Sequence, residues 1–122
     1  MKKCIILVVD DDKVLLKMLE SLLFREGYSV IPVSRGKEAI RIAKERNPSL
    51  VILDIMMPDI DGCEVANILK NDPETMNIPI MFLSSLITKY EEKNSRDKNN
   101  ICLMPKPYNR EDLLEKIRHY IS

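Results

Sequence analysis

Tryptophan is absent from the sequence, and aromatic residues are scarce, with two Phe and four Tyr among 122 residues. Net charge is absent too, because 19 Lys and Arg side chains balance 19 Asp and Glu side chains. A neutral chain sets up no overall field that attracts nucleic acid or an anionic membrane surface. The longest apolar run, CIILVV at 4–9, is far shorter than the roughly 18 residues of a membrane-spanning helix. We therefore predict that the chain binds neither nucleic acid nor a membrane.

Cysteines are few, and Cys4, Cys63 and Cys102 lack the spacing of metal ligands. An odd number of unpaired thiols is typical of a reducing compartment, so we predict a cytoplasmic protein. Two lysines and an apolar run at the N-terminus also resemble a signal peptide. However, three aspartates follow where a small-residue cleavage site would lie, and we interpret the run as a first strand.

Short apolar runs alternate with amphipathic stretches along the chain, without repeats or low-complexity tracts. Strands are predicted over 4–9, 28–33, 49–54, 78–84 and 101–104. Pro32 favours an edge position for the second strand, since proline cannot donate to a ladder. The length allows one hydrophobic core, which predicts a single domain over 1–122.

The helices are predicted from apolar residues at helical spacing and from capping residues. Gly27 ends the first helix, 36–47 forms the second, Asp61 caps the third and Asn109 caps the last. The residues expected on the inner face of the first helix are Val14, Leu15, Met18, Leu19, Leu22 and Leu23. Those expected on the inner face of the last helix are Leu113, Leu114, Ile117 and Ile121.

Strands that are apolar on both faces and separated by helices indicate a parallel sheet covered on both sides. Right-handed crossovers then predict an α/β fold, a (βα)₅ doubly wound three-layer sandwich of the flavodoxin-like kind. In such folds the site lies beyond the carboxyl ends of the strands, where the winding reverses. With the strand order 2-1-3-4-5, that place lies between the first and third strands.

Carboxylates follow both of these strands, Asp10, Asp11 and Asp12 after the first and Asp54 after the third. Carboxylates brought together repel one another, and a hard divalent cation such as Mg²⁺ removes the conflict. The loop after Asp54 can add a backbone carbonyl, at Met56.

Two more polar groups are predicted at the same edge of the sheet. Ser84 ends the fourth strand, and Lys106 follows the fifth. A metal, an ammonium group and a hydroxyl beside a carboxylate suit a phosphoryl group. No better nucleophile than Asp54 is present, so an aspartyl phosphate is predicted.

The segments ILVVDDD, LVILDIMMPDIDG, IMFLSS and MPKPY stand in the order and spacing of receiver domains, the phosphoacceptor modules of two-component response regulators. The resemblance covers essentially the whole chain. It includes receiver domains of the chemotaxis-regulator kind. It implies that Asp54 is the phosphoacceptor, that Lys106 pairs with the phosphoryl oxygens and that Ser84 is the switch hydroxyl. It also implies Mg²⁺, for which Mn²⁺ can substitute, bound by Asp11, Asp54 and the Met56 carbonyl, and by Asp10 through water.

Further expectations follow from the same resemblance. The Lys106–Pro107 peptide bond is cis in this family, and the phosphodonor is a phosphohistidine on a sensor kinase or a phosphotransfer domain. Such a module is a switch that catalyses only its own phosphorylation and dephosphorylation. We expect a free-standing domain, a monomer or weak dimer, with a domain of a larger regulator as the alternative. The downstream target is not identified by any motif.

Other interpretations remain open for these residues. Asp12, Asp59 and Asp61 are more typical of helix caps and loop structure than of chemistry, and His119 is expected to be solvated.

Two other classes of protein remain as alternatives. A haloacid-dehalogenase-like phosphatase also uses an Asp, Mg²⁺, a Ser or Thr and a Lys, but its nucleophile follows the first strand. A flavin-binding protein would need a phosphate-cradling first loop, whereas this loop is triply acidic and no Trp can stack on the flavin.

The chain departs from the receiver pattern in ways that bear on its output. Leu103 stands where an aromatic switch residue is usual, and Pro105 directly precedes Lys106. Ser85 occupies a position that is often Ala. Residues 91–100 include no apolar side chain, so the segment 86–100 can bury little surface. We therefore predict that the signal passes through ordering of 86–100 instead of through rotation of an aromatic ring.

Overall fold

The computed structural model describes residues 4–88, 91–92 and 100–121. Strands and helices alternate through these residues as predicted, except between the fourth and fifth strands, where the predicted helix lies mostly outside the described residues. The strands are β1 (Ile5–Val9), β2 (Ser29–Val33), β3 (Leu50–Leu53), β4 (Ile80–Ser84) and β5 (Ile101–Pro105). The helices are α1 (Lys13–Arg25), α2 (Gly36–Arg46), α3 (Gly62–Lys70) and α4 (Arg110–Ile121).

The five strands form one parallel sheet in the order β2-β1-β3-β4-β5. This order confirms the predicted doubly wound α/β fold. Strand β2 is an edge strand, as Pro32 indicated, and the side chain of Pro32 is exposed. Because β1 lies between β2 and β3, the winding reverses at β1 and β3, and their carboxyl ends flank the crevice where such folds carry their sites.

Successive residues of each inner strand enter different cores. From β1 and β3, Ile6, Leu50 and Ile52 pack with residues of α1 and α4. Leu7, Val51 and Leu53 pack on the opposite face with residues of α2 and α3. All six side chains are at most 1% exposed, which explains why the strands read as continuous apolar runs instead of alternating ones.

The predicted inner face of α1 is partly wrong. Val14 and Met18 are 69% and 58% exposed, whereas Leu16, which was not predicted, is buried. A helix turns about 100° per residue, so Leu16, Leu19 and Leu23 share one stripe while Val14 and Met18 lie together on the other side. Truncating the fully buried Leu19 to Ala should cost about 2 to 5 kcal/mol of stability.

The capping predictions agree with the structure. Gly27, with φ +94°, follows α1 in the left-handed region that glycine tolerates. The side chains of Asp61 and Asn109 accept hydrogen bonds from the first turns of α3 and α4. On the inner face of α4, Leu113, Leu114 and Ile117 are buried, and Ile121 is partly buried at the same core.

None of the helices among the described residues is long and apolar enough to cross a membrane. In this part of the chain no buried side-chain nitrogen or oxygen lacks a hydrogen-bond partner. The 86–100 segment, which was predicted to be weakly anchored, lies partly outside the described residues. Within it, Ile87 is buried against the core that α2 and α3 cover.

Candidate functional site

The carboxyl ends of β1 and β3 bring two aspartates together. Asp10 follows β1 and Asp54 follows β3, and the Asp54 N–H donates to the carbonyl of Val9 at 3.0 Å. Both side chains are buried, with Asp10 3% and Asp54 8% exposed. Burying a carboxylate is unfavourable without a partner, so this pair requires cations or hydrogen-bond donors nearby.

Asp11 completes an acidic group with these two residues. One carboxylate oxygen from each of Asp10, Asp11 and Asp54 lies within 4.8 Å of the others. Asp11 is exposed, so the group is open to solvent on one side. Three convergent carboxylates of this kind fit a hard divalent cation, which takes oxygen ligands and keeps several waters.

Lys106 supplies positive charge to this group. Its Nζ atom lies 2.7 Å from Oδ2 of Asp10 and 3.5 Å from Oδ2 of Asp54. Burial alone lowers the pKa of the Lys106 ammonium, but the hydrogen bond to Asp10 and the negative charges of both aspartates outweigh it and raise this pKa. The lysine is therefore charged at neutral pH, beside the aspartate predicted to accept a phosphoryl group.

The pKa of Asp10 is raised above its usual value, and burial is the main cause. Hydrogen bonds from Lys106 and from the Asp12 N–H favour the charged carboxylate and oppose this effect. The charge of Asp54 adds to the increase. The contacts of Asp10 with Lys106 and Asp12 therefore reduce the increase in its pKa that burial causes, without cancelling it.

Ser84 ends β4 and is 1% exposed. Its hydroxyl oxygen accepts a hydrogen bond from the Leu86 N–H at 3.2 Å. Its carbonyl accepts one from the Lys106 N–H at 3.0 Å, so Pro105 does not prevent Lys106 from joining the end of the sheet. The Lys106–Pro107 peptide bond is cis, as the resemblance implied.

The loop between β3 and α3 passes close to the end of β3. The Gly62 N–H donates to the carbonyl of Ile55 at 2.7 Å, which closes the loop at its base. A side chain at Gly62 would collide with the backbone of Asp54, so only glycine fits there. The Met56 side chain is 62% exposed beside a surface pocket that Asp11 and Asp61 also line.

The residues that were expected to be structural have structural roles. The Asp12 side chain accepts hydrogen bonds from the N–H groups of Val14 and Leu15 and caps α1. His119 is exposed on α4, with its ring edge-on to Tyr120. Of the three free cysteines, Cys102 is buried, Cys4 is half-buried and Cys63 is exposed.

Two features were missed from the sequence. Thr88 and Glu91 exchange hydrogen bonds between side chains and backbone N–H groups, which is a capping box. The Thr-x-x-Glu spacing was visible in the sequence and could have predicted it.

The second feature is a pair of hydrogen bonds from Lys116 of α4. Its ammonium donates to the carbonyl of Leu103 at 2.8 Å and to the carboxylate of Glu92 at 2.6 Å. No local pattern identifies those contacts, because the three residues come from different parts of the chain.

The fold and the site together define a class of protein: an open, doubly wound α/β domain with an acidic crevice and a lysine at the carboxyl edge of its sheet. The sequence profile of the response regulator receiver domain matches residues 6–118. The chain therefore belongs to the receiver-domain family of two-component signalling. Members of this family are generally signalling switches and not classical enzymes.

Individual relatives agree with this assignment. The polar-differentiation response regulator DivK of Brucella ovis is 29% identical over 117 residues, which are 96% of this chain and 95% of that protein. The chemotaxis response regulator CheY4 of Vibrio cholerae has a TM-score of 0.84 at 26% identity, covering 98% of this chain and 99% of that one.

A third relative was solved with a metal. The receiver domain of a sensor histidine kinase from Pseudomonas aeruginosa PAO1 has a TM-score of 0.85 at 24% identity, with 98% of each chain covered. That structure contains a magnesium ion coordinated in the active-site cleft. At this identity the likeness to the present chain establishes the shared fold.

Proposed function

We propose that this receiver domain is a phosphorylation-activated switch of a two-component system or phosphorelay, and that Asp54 is its phosphoacceptor. The convergence of Asp10, Asp11 and Lys106 on the Asp54 carboxylate carries this proposal. Asp54 has a lysine ammonium within 3.5 Å and two further carboxylates within reach of a shared cation. The negative charge of an acyl phosphate at this position would be compensated on one side by the lysine ammonium and on the other by the shared cation.

The proposed transfer takes a phosphoryl group from a phosphohistidine of a sensor kinase or a histidine phosphotransfer domain. A carboxylate oxygen of Asp54 forms the new O–P bond while the P–N bond of the phosphohistidine breaks. The electron pair of that bond returns to the imidazole nitrogen, and the product is an aspartyl phosphate. Lys106 is placed to pair with a phosphoryl oxygen, since its Nζ already lies near the Asp54 carboxylate.

The metal of this proposal is Mg²⁺, with Mn²⁺ as a substitute. Asp11 and Asp54 would hold it with the Met56 carbonyl, and Asp10 would act through water. When bound, the ion would neutralise part of the negative charge of the phosphoryl group at Asp54. The three carboxylates suit it because they are oxygen ligands within 4.8 Å of one another.

Ser84 and Lys106 would carry the signal from the modified Asp54. The Ser84 hydroxyl is buried at the end of β4, and we propose that it turns toward the phosphoryl oxygens. That turn would remove the acceptor of the Leu86 N–H, so the change would pass first into the segment that follows β4. The domain would work in the cytoplasm, as a single domain over 1–122 that is a monomer or weak dimer, and would signal to a downstream protein or a fused output domain.

The decisive test is labelling with a small phosphodonor. Incubation with acetyl phosphate or phosphoramidate and Mg²⁺ should add one phosphate to the intact mass, and hydroxylamine should remove it. Asp54→Asn should abolish the labelling, and EDTA should suppress it. Asp61→Asn is the matched control, because Asp61 lies in the same loop but caps α3, and it should label normally.

Two outcomes would contradict this assignment. Unchanged labelling of Asp54→Asn would show that another residue accepts the phosphate. Labelling that is lost in Asp10→Asn and kept in Asp54→Asn, together with turnover of p-nitrophenyl phosphate, would indicate the phosphatase class, whose nucleophile follows the first strand.

A further inference from the structure

Helix α2 begins without a cap of its own. Arg35 occupies the N-cap position, and its side chain makes no capping hydrogen bond. The first N–H groups of a helix have no partner inside the helix, so they need one from elsewhere. In this chain the partner comes from the loop between β3 and α3, which follows Asp54.

Asp59 supplies that partner from a distant part of the chain. Its two carboxylate oxygens accept from the N–H groups of Gly36 and Lys37, each at 3.0 Å, across sequence separations of 23 and 22 residues. Each oxygen thus has its own donor. A local N-cap stabilises only its helix, whereas this contact also fixes the loop to the helix.

Apolar contacts at the same point reinforce the attachment. Gly36 is buried, and a side chain there would collide with Ile60 and Val65 and would press on Met57. The loop residues Met57 and Ile60 therefore pack directly on the start of α2. With Asp59 between them, this part of the loop is held by both polar and apolar contacts.

Met56 lies between two fixed points of this loop. On one side the Ile55 carbonyl accepts from Gly62 at the base of the loop, and on the other Asp59 is bonded to α2. The exposed side chain of Met56 makes no comparable anchor. The direction of the Met56 carbonyl therefore depends on the backbone at both points.

We infer that Asp59 is a positioning residue of the phosphorylation site, which holds the Met56 carbonyl in place for the divalent cation by tying the loop to α2. This inference rests on the proposed function, because it assigns the Met56 carbonyl to the metal. Asp59 acts through the backbone and does not touch the acceptor. Partners that support a metal ligand typically change metal affinity by about 10- to 100-fold when removed.

The test separates the hydrogen bonds of Asp59 from its charge. Asp59→Asn and Asp59→Ala remove the same charge, but only Asn keeps an oxygen that can accept from α2. Mg²⁺ binding by titration calorimetry should be about tenfold weaker in Asp59→Ala than in Asp59→Asn. Equal affinities in these two variants would overturn the inference.

A second pair of variants separates loop positioning from helix capping. Arg35 has extended backbone angles, φ −134° and ψ 138°, which suit an N-cap residue. Adding Arg35→Ser to Asp59→Ala should restore the midpoint of urea unfolding in EDTA but not the Mg²⁺ affinity. Arg35→Ser alone controls for the lost positive charge. If the double variant recovers the affinity as well, Asp59 is only a helix cap.

Amide hydrogen exchange at Gly62, whose N–H donates to the Ile55 carbonyl at the base of the loop, completes the design in metal-free protein. Exchange should be faster in Asp59→Ala and in the double variant than in Asp59→Asn. A wild-type chain that binds no Mg²⁺ would count against the proposed function, and these exchange rates would still decide whether Asp59 holds the loop. Unchanged exchange in all variants would overturn the inference.

Discussion

Asp10 is subject to opposed electrostatic interactions. It is buried and close to Asp54, which disfavours its charge, and it pairs with Lys106 at 2.7 Å, which favours it. A buried ion pair of this kind is costly to break, because the remaining partner is left charged and unpaired. The pair therefore keeps Lys106 near Asp54 before any phosphoryl group is present.

Asp11 differs from Asp10 in being exposed, so its removal should have a different effect. In Asp11→Asn the free energy of unfolding without metal should stay within about 0.5 kcal/mol of wild type, because solvent screens the charge and one carboxylate repulsion is lost. Mg²⁺ binding should weaken by at least about tenfold, since the proposed direct ligand is replaced. Urea unfolding in EDTA and calorimetric titration measure the two effects.

Asp12→Asn is the matched control for this experiment. Asp12 lies next in the chain but caps α1, and Asn is an equally good cap. This variant should bind Mg²⁺ nearly normally. A chain in which Asp11→Asn is markedly less stable, while it binds Mg²⁺ as wild type does, would show that Asp11 is structural.

At the level of the elements, the loop between β3 and α3 connects more than its two neighbours. Asp61 caps α3, Asp59 caps α2 and Gly62 closes the base of the loop against Ile55. The site is thus attached to both helices on one face of the sheet. A substitution in this loop should therefore change the stability of α2 as well as that of α3.

The pH dependence of stability provides a test of the contact between Asp59 and α2. Hydrogen bonds from the N–H groups of Lys37 and Gly36 lower the pKa of Asp59. A carboxyl whose pKa is lower in the folded state stabilises the fold above its unfolded pKa, roughly 3.9, and loses this effect as pH falls through the folded value. The stability difference between wild type and Asp59→Ala should therefore be constant near neutral pH and shrink below about pH 4.

Urea unfolding at a series of pH values measures that difference. Glu38→Ala controls for the loss of one carboxylate in the first turn of α2. If the difference between wild type and Asp59→Ala keeps its full size down to the lowest pH at which the protein folds, the carboxylate of Asp59 does not stabilise α2.

At the scale of the whole molecule, hydrogen bonds of β5 and α4 reach the segment that follows β4. Leu103 on β5 is half-buried at the core under α2 and α3, and its carbonyl accepts from Lys116. Lys116 also pairs with Glu92, which follows β4. These hydrogen bonds join the segment after Ser84 to α4 and to the backbone of β5.

We predict that phosphorylation changes the 86–100 segment more than it changes Leu103. Turning of the Ser84 hydroxyl would free the Leu86 N–H, so the effect should begin there and spread along the segment. Hydrogen exchange on the metal-free and beryllofluoride-bound forms should show the largest rise in protection within 86–100. A larger change at Leu103, or full protection of 86–100 before phosphorylation, would contradict this prediction.

The sequence by itself determined the order and type of the elements, because apolar runs, helical spacing and capping residues are local signals. It also placed Asp10, Asp54, Ser84 and Lys106 at strand ends, and parallel strands bring such residues to one edge. The strand order came partly from the resemblance to receiver domains, which also assigned the individual role of each site residue. The strand order is confirmed, and the roles remain proposals.

Only the tertiary structure decided which residues far apart in the chain meet. Val14 and Met18 fit an apolar pattern, yet the sheet covers the stripe of Leu16 and Leu19 instead. Asp59 looked like a residue of its own loop, yet it caps α2, whose own Arg35 cannot. The physical reason is the same in both cases: a local pattern records what a residue can do, whereas packing determines which partner lies within a hydrogen bond or a contact distance.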